Sequence, residues 1–476
     1  MTSEEARLRS TGRIRHRGVA LAVGLVALLV VTAVAGAAPG PPLVRLNAYG
    51  ATPIPSFGMA RTANGVLHLI YDTLPPGGGP STGLTTQTIS PSGTAGPVIP
   101  ALTGWAPGRP GLTALPDGTL VAVFGALSPG TSPVSSIWSI SSTDGGATWS
   151  APVDVSSGTD EALAYGSDMT LQAFGSTPVL TAPQAGGLVV QQGLGPGAPT
   201  ALDTDSSDNF AGIVNTAVDA ATQQVVASWS SAAGTGGDYI RAVAPAPSLV
   251  VKSPGQLRTG LVIAGRDTGP GIFAAYTTDN RKVRLLRYGG GSVAVGSSPT
   301  VTPQVLAVAT GPQGRIWVMW GDEAGNPGLV VTRSNKAVTK FEPLQEIGMH
   351  ALQLQRIGGD GRLGPLDLLV DYRPTSTGPL AVPGLFHARV YPVLSAAVST
   401  KAVKNKKGVV VAHKVTVKVK DAGDPVAGAK VAIGGSKGTT SGNGTTTLTL
   451  PAAVSGAKAL TVIAAGYQEL KLTVHI

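Results

Sequence analysis

The 476-residue sequence contains no cysteine. Disulfide bonds, thiolate metal ligands and cysteine nucleophiles are therefore excluded, and an exported form would be stabilised by packing alone. Charged residues make up only 13% of the chain and aromatic residues 5%, whereas 65 glycines and 37 prolines together form about a fifth of it. This composition is typical of many short strands joined by turns, so we expect an all-β protein.

Histidine is also scarce and scattered. No two histidines have the spacing of zinc ligands, and no serine, histidine and aspartate follow the frame of a serine hydrolase. Zinc enzymes and serine hydrolases are therefore disfavoured. The six histidines are His16, His68, His350, His387, His413 and His475.

The N-terminus has the pattern of an export segment. Residues 1–18 carry five arginines against two glutamates, and Val19 to Ala38 carries no charge. Small-residue sites around Ala35 and Ala37 fit a cleavable signal peptide. The uncharged run is also long enough to span a bilayer as an uncleaved anchor. We assign 1–42 to a signal peptide or signal anchor with an apolar helix, and expect the chain outside the cell or on the outer face of its membrane.

The net charge of +9 is unevenly distributed. Residues 1–18 contribute +3 and 399–476 contribute +8, since the latter have eleven lysines against three acids, and the rest is close to neutral at −2. The C-terminal excess contains no arginine and only one aromatic residue, Tyr467, so it lacks the groups that bind nucleic acid. Attraction to an anionic wall polymer or to lipid headgroups is the better interpretation.

A turn followed by an apolar run recurs through the middle of the chain. The ends of successive copies lie about 44 to 58 residues apart, which is the spacing of four-stranded blades stacked around an axis. We predict a β-propeller over 43–396, with seven blades, or six if the weak third copy is an insertion. A row of separate β-sandwiches is the alternative. The copies are Asn64–Tyr71, Asp117–Phe124, Gly175–Ala182, Thr222–Trp229, Pro270–Tyr276, Gln313–Trp320 and Gly364–Tyr372.

One turn in the second copy has a specific motif. Ser142, Asp144, Gly146 and Trp149 have the spacing S-x-D-x-G-x-x-W, between the expected third and fourth strands. The motif resembles the Asp box of the sialidase-like (BNR-type) β-propellers. The resemblance implies a structural turn away from the central pocket, with Asp144 bonded to turn amides.

The C-terminal segment has a different character. We expect a charged linker over 397–408, and over 409–476 a small Ig-like or transthyretin-like β-sandwich of Val- and Thr-rich strands. Asp421 to Val431 and Ala464 to Val474 resemble the carboxypeptidase regulatory-like, transthyretin-like family. Such modules are rarely catalytic.

Sialidases bind the substrate carboxylate with three arginines and use a tyrosine nucleophile. Where those enzymes have an Arg-Ile-Pro motif, this sequence has Pro53 in place of the arginine, unless Arg61 replaces it. Tyr372 has the place of a late nucleophile, but a tyrosine that ends an apolar strand is more often core. A catalytic site would need Arg61, Arg109, Arg241, Arg266 and Tyr372 to converge beside a carboxylate.

Asp203, Asp205 and Asp208 are weak candidates for binding Ca²⁺ in an oxygen-rich loop, which is otherwise a solvated connection. Two functions remain open. The first is a non-catalytic exported propeller that binds or scaffolds an envelope or extracellular ligand such as a glycan or a protein. The alternative is a secreted exo-glycosidase of sialidase type, with Tyr372, Arg61 and Arg109 as its candidate residues.

Overall fold

The structure is a computed structural model, and nearly all of its described part is strand or turn. Its single described helix is a 3₁₀ turn, Pro312–Gly314. It describes residues 31–33, 41–48, 57–73, 81–127, 129, 135–155, 169–184, 187–195, 200–203, 214–231, 237–245, 251–252, 262–278, 281–297, 303, 305–321, 329–347, 352–374 and 384–476.

The repeated strands arise from two features of the sequence, which are turns that contain glycine and the apolar runs that come after them. The first marker shows how: Thr62–Val66 forms a tight turn with Gly65 at φ 86°, and the following strand is buried along almost its whole length. The strands up to the third sheet are β1 (Val31–Ala33), β2 (Val44–Ala48), β3 (Phe57–Arg61), β4 (Leu67–Thr73), β5 (Gly83–Ile89), β6 (Ile99–Thr103), β7 (Ala106–Ala114), β8 (Leu120–Leu127), β9 (Ser135–Ser142), β10 (Val153–Asp154), β11 (Thr170–Phe174), β12 (Thr177–Gln184), β13 (Gly187–Gln192) and β14 (Thr200–Asp203).

The later strands repeat the pattern and then enter the C-terminal segment. They are β15 (Asn215–Val218), β16 (Val225–Ser231), β17 (Gly237–Ala244), β18 (Val251–Lys252), β19 (Val262–Gly265), β20 (Ile272–Thr277), β21 (Lys282–Arg287), β22 (Ser292–Ser297), β23 (Val305–Thr310), β24 (Ile316–Gly321), β25 (Leu329–Arg333), β26 (Gln345–Ile347), β27 (Leu352–Asp360), β28 (Leu366–Pro374), β29 (Gly384–Val390), β30 (Ser395–Lys404), β31 (Val410–Asp421), β32 (Asp424–Pro425), β33 (Lys430–Ile433), β34 (Ser436–Thr439), β35 (Thr445–Pro451), β36 (Ala457–Ile463) and β37 (Leu470–His475).

Strands β2 to β29 form seven four-stranded antiparallel sheets within the described residues. Six of them are consecutive in sequence, from β3–β6 to β23–β26. The seventh combines β27, β28 and β29 with β2, so the N-terminal end of this region completes the sheet at its C-terminal end. Each repeated marker coincides with the second strand of one sheet, and the weak copy at Gly175–Ala182 coincides with β12.

The first strands of all seven sheets line one central pocket of about 950 Å³. These strands are β3, β7, β11, β15, β19, β23 and β27. Sheets arranged in this way around one axis form a β-propeller, in which each sheet buries its faces against its neighbours. Gly58 shows how closely the inner strands approach, because a Cβ there would lie 2.7 Å from the backbone nitrogen of Leu112 in β7.

The apolar cores lie between neighbouring sheets. Trp317 and Met319 of the sixth sheet pack with Leu368 and Val370 of the seventh, and all four are fully buried. Burial of each such side chain stabilises the fold by roughly 1.5–3 kcal/mol.

Residues 395–476 form two sheets that pack over a separate apolar core. One has the order β1-β30-β31-β32 with β35 beside β31, and the other has the order β34-β33-β36-β37. Our predicted linker at 397–408 is wrong, because these residues lie in β30 and in its turn to β31. The lysines suggested a solvated hinge, but they continue a strand that begins in the core, where Ala396 and Val398 are buried.

Buried charges join this module to the sixth sheet. The Arg333 guanidinium donates to Asp421 Oδ2 at 2.8 Å and to Glu342 Oε1 at 3.2 Å, and the Tyr467 hydroxyl donates to the same Asp421 oxygen at 2.8 Å. Arg315 adds an ion pair to Asp424 at 3.0 Å. The module is therefore docked on the propeller through specific contacts.

The predicted N-terminal apolar helix lies mostly outside the described residues. Its one described piece, Val31–Ala33, is a strand that pairs with Val398–Ala396 of β30, so that part of the prediction is wrong. The open edge of β30 offers backbone groups that a strand can satisfy. No helix in the described part of the chain is long and apolar enough to cross a bilayer.

Candidate functional site

The central pocket has two chemically different ends. Every first strand runs in the same direction, so the pocket has one end where Phe57 begins β3 and another where Arg61 finishes it. We call these the Phe57 end and the Arg61 end.

Two arginines line the Phe57 end, on the strands either side of β3. Arg109 belongs to β7 and Arg356 to β27, and each lies at a β-bulge that interrupts the pairing with the next strand. Arg109 has φ 44°, a left-handed conformation that costs a non-glycine residue about 1–2 kcal/mol. Bulges and strained residues of this kind re-aim side chains and cluster at binding sites. Both side chains are half-buried.

Behind these arginines lie two buried carboxyl groups. Asp72 follows Tyr71 in β4, and Asp371 is directly opposite Arg356 across the β27–β28 pair. Both are 0% exposed. Burial raises the pKa of Asp72 well above its usual range, while the charges of Arg109 and Arg356 act to lower it and that of Asp371 adds to the rise. Neither aspartate lines the pocket itself.

Arg356 also contacts an aromatic ring. Its guanidinium carbon lies 5.4 Å from the centre of the Phe57 ring, within the range of a cation–π contact. The Phe57 end therefore combines two guanidinium groups with an apolar surface. This combination can bind an anionic ligand that also has an apolar face.

The Arg61 end is closed by an ion-pair network that joins the first and seventh sheets. Arg61, only 3% exposed in its side chain, donates to Asp360 Oδ1 and to Asp367 Oδ2, both at 2.6 Å, and to the Gly65 carbonyl at 2.7 Å. His387 Nε2 lies 3.1 Å from the other Asp367 oxygen. Most donors of Arg61 are thus engaged, and the residue ends β3 instead of preceding it. Arg61 does not replace the arginine missing at Pro53.

Of the five side chains expected to converge, the four described ones, Arg61, Arg109, Arg241 and Arg266, do not meet. Arg266 lines the Arg61 end, where it donates to the carbonyls of Gly314 and Lys336 at 2.9 and 2.7 Å. Arg241, in the third strand of the fourth sheet, is not among the lining residues. Tyr372 pairs by its backbone with Leu354 and Gly384, and its side chain lies outside the described residues. Only Arg109 of the predicted set lines the Phe57 end.

The Asp-box residues form the turn between β9 and β10, the third and fourth strands of the second sheet. Asp144 accepts hydrogen bonds from the Thr148 backbone N–H at 2.9 Å, the Thr148 hydroxyl at 2.6 Å and the Ser142 hydroxyl at 2.8 Å. These bonds lower the pKa of Asp144 to about 2. Gly146 has φ 86°, and Trp149 packs on the core between the first two sheets. The turn is far from the lining of the pocket.

The candidate calcium ligands lie largely outside the described residues. Asp203 ends β14, whereas Asp205 and Asp208 fall in a segment that is not described. Elsewhere in the described ranges no three histidine, aspartate or glutamate side chains group as metal ligands would.

Arg356, Asp72 and Asp371 were not identified from the sequence as candidate site residues. Asp72 and Asp371 stand at the ends of buried runs, "LHLIYD" and "LDLLVD", and a carboxylate inside such a run was an available signal. Arg356 was not detectable, because its place in the pocket depends on a bulge that pairing creates.

Comparisons with known proteins gave structural likeness only. No protein-family model matches the chain, and no curated protein matches it. Among solved structures, an intramolecular trans-sialidase from Ruminococcus gnavus in complex with oseltamivir carboxylate has 9% identity and a TM-score of 0.44, over 74% of this chain and 97% of that one. An α-L-arabinanase from Penicillium chrysogenum complexed with arabinobiose has 12% identity and a TM-score of 0.39, over 74% and 99%. A Dyadobacter fermentans protein of unknown function has 13% identity and a TM-score of 0.40, over 74% and 100%. These likenesses describe strand arrangement and assign no activity.

Proposed function

We propose that this chain is an exported seven-bladed β-propeller of sialidase-like fold whose central pocket binds an acidic sugar of an envelope or extracellular glycan. The observation that carries the proposal is the pair Arg109 and Arg356, which line the same end of the pocket from the strands on either side of β3. Carboxylates of acidic sugars match the fork of a guanidinium group in two parallel hydrogen bonds.

The surroundings of the two arginines support a sugar over a simple anion. Phe57 contributes a ring beside Arg356, and Thr113 and Thr170 are also among the residues that line the pocket. An apolar ring with a few polar groups is the usual lining of a small-molecule site. A pocket of about 950 Å³ has room for one or two sugar units.

A glycan array probed with the full chain tests this proposal. We expect binding to glycans that end in a carboxylated sugar and none to their neutral counterparts. Binding that ignores the carboxylate, or that survives replacement of both Arg109 and Arg356 by alanine, would contradict it. Arg284→Ala is the matched control, because Arg284 bonds to Ser292 in the fifth sheet and does not line the pocket.

Glycoside hydrolysis is the second candidate, and the buried carboxyl of Asp72 favours it. Glycosidases use two carboxyl groups, one of them an acid with a raised pKa, and Asp72 and Asp371 are two carboxyl groups close to the arginines. In this account Asp72 must reach the pocket during turnover. Asp72→Asn is then expected to lower the turnover of a fluorogenic acidic glycoside by about 100-fold or more while binding is kept. If the unaltered chain shows no turnover, hydrolysis is rejected and only the binding function remains.

A further inference from the structure

The first turn of the C-terminal module projects beyond the rest of its sheet. Pairing of β31 with β35 stops at Ala412 opposite Pro451, whereas pairing of β30 with β31 continues to Lys404 opposite Val410. Two hydrogen bonds hold the turn. The Asn405 N–H donates to the Val409 carbonyl, and Asn405 Oδ1 accepts from the Lys407 N–H, both at 2.9 Å. We call residues 401–414 the basic hairpin.

The hairpin carries five exposed lysines and no acidic residue. None of its lysines forms an ion pair with any described residue. The three acids of the module lie elsewhere: Asp421 and Asp424 face the propeller, and Glu469 pairs with Lys471 at 3.2 Å. The hairpin lysines are Lys401, Lys404, Lys406, Lys407 and Lys414.

Valines are exposed among these lysines. Val409 is 57% exposed and Val411 is 47% exposed. Both lie at the tip of the hairpin, where the pairing of β30 with β31 is irregular, and Val415 and Val417 of β31 lie in the core beyond it. Exposed apolar side chains thus lie among the lysines of the hairpin.

One short strand of the uncharged N-terminal run lies beside β30. β1 is antiparallel to β30, with Val31 opposite Val398 and Ala33 opposite Ala396. β1 therefore runs along β30 away from the hairpin. It belongs to the run Val19 to Ala38, which carries no charge.

We propose that the basic hairpin docks on an anionic lipid bilayer, with its lysines on the headgroups and Val409 and Val411 in the interface. Lysines near an anionic leaflet each strengthen attachment, and exposed apolar side chains add burial at the headgroup boundary. An anionic wall polymer would use the lysines but would leave the valines without a role.

The absence of cysteine allows a single reporter to be placed at the hairpin. The full chain carrying Val411→Cys, labelled with an environment-sensitive dye, is reconstituted with phosphatidylcholine vesicles with and without phosphatidylglycerol. We expect a blue shift of the dye only with phosphatidylglycerol, reversed by high salt. The same dye at Val153→Cys, an exposed valine in the second sheet, is expected to show no shift.

Charge variants separate docking at the hairpin from general attraction. Lys404→Gln, Lys406→Gln and Lys407→Gln together are expected to weaken the lipid response roughly 100-fold, from about fivefold for each lysine. The control triple Lys418→Gln, Lys430→Gln and Lys471→Gln removes the same charge at the other end of the module and is expected to keep the response. Equal losses in both triples, a shift in neutral vesicles, or a response to a soluble phosphate polymer and not to vesicles would overturn the proposal.

Discussion

At the residue scale, Arg61 illustrates how one buried charge holds two sheets together. Its partners Asp360 and Asp367 are 7% and 0% exposed in their side chains, so loss of the guanidinium leaves these buried carboxylates with only the more exposed Arg362 and the more distant Arg389 as cations. Arg61→Met is expected to reduce the free energy of unfolding by about 3–5 kcal/mol. Urea unfolding measures this loss. Arg362→Met, whose side chain is 47% exposed and pairs with Asp360, is the control and should cost less than about 1 kcal/mol.

Asp72 predicts a pH dependence of stability. Its pKa is raised in the folded chain, so between its unfolded pKa and its folded pKa the folded state holds a proton that the unfolded state has released. Stability from this group is complete below the unfolded pKa and falls as pH rises, by about 1.4 kcal/mol per unit. Asp72→Asn removes this loss, so the variant should be more stable than the unaltered chain at neutral pH and equal to it in acid. Equal stabilities at both pH values would contradict the raised pKa.

Residues that bond to near neighbours in the sequence could be assigned from the sequence. Residues whose partners are brought close only by the pairing and packing of distant strands could not. The Asp-box turn was predictable because Ser142, Asp144 and Gly146 bond within a few residues of one another. Arg61 was misassigned because its partners Asp360 and Asp367 are about 300 residues away. Asp72 and Arg109 act on each other only through the contact between two neighbouring sheets.

At the scale of elements, the junction between the sixth sheet and the C-terminal module depends on a coupled set of charges. Burial raises the pKa of Glu342 well above its usual range. Burial alone would also raise the pKa of Asp421, but Arg333 and Arg315 hold it below its ordinary value. Of the two carboxyl groups, Glu342 is therefore the one that binds a proton more readily. The two carboxyl groups and Arg333 form one unit.

This unit is expected to make the two domains unfold together. Replacement of Arg333 by methionine leaves Asp421 buried without its nearest cation, at a cost of about 3–5 kcal/mol. We expect calorimetry to show one transition for the unaltered chain and two for Arg333→Met, as the module melts separately. Tyr467→Phe removes only one hydrogen bond to Asp421 and should lower the transition by about 1 kcal/mol without splitting it. Two transitions in the unaltered chain would mean that the contacts do not couple the domains.

The linker error arose at this scale too. Lysine-rich "STKAVKNKKG" is typical of a hinge by composition, yet its first six residues continue β30, in which Ala396 and Val398 face the core. The lysine content of the segment was given more weight than its strand pattern, so a linker was predicted. The strand continues because β31 and β1 both offer backbone partners to it.

At the scale of the whole molecule, the recurring spacing of turn and apolar run was enough to place the second strand of each sheet. Burial on both sides of those strands produces continuous apolar runs that are visible in sequence. The first strands are harder to detect from the sequence. They contain Gly58, Gly265 and Gly358 at positions where a larger side chain would clash with the neighbouring first strand. The lining of the pocket was therefore the least predictable part of the fold.

The central claim is that Arg109 and Arg356 recognise a carboxylate in the central pocket. Isothermal titration of the full chain with the acidic sugar found by the array, and with its neutral methyl ester, tests it in the unaltered chain and in each Arg→Ala variant. We predict that each variant binds the acid about 10- to 150-fold more weakly, from about 1.5–3 kcal/mol per charged hydrogen bond, and binds the ester as the unaltered chain does. Acid and ester bound equally well by the unaltered chain, or an acid affinity that both variants keep, would contradict it.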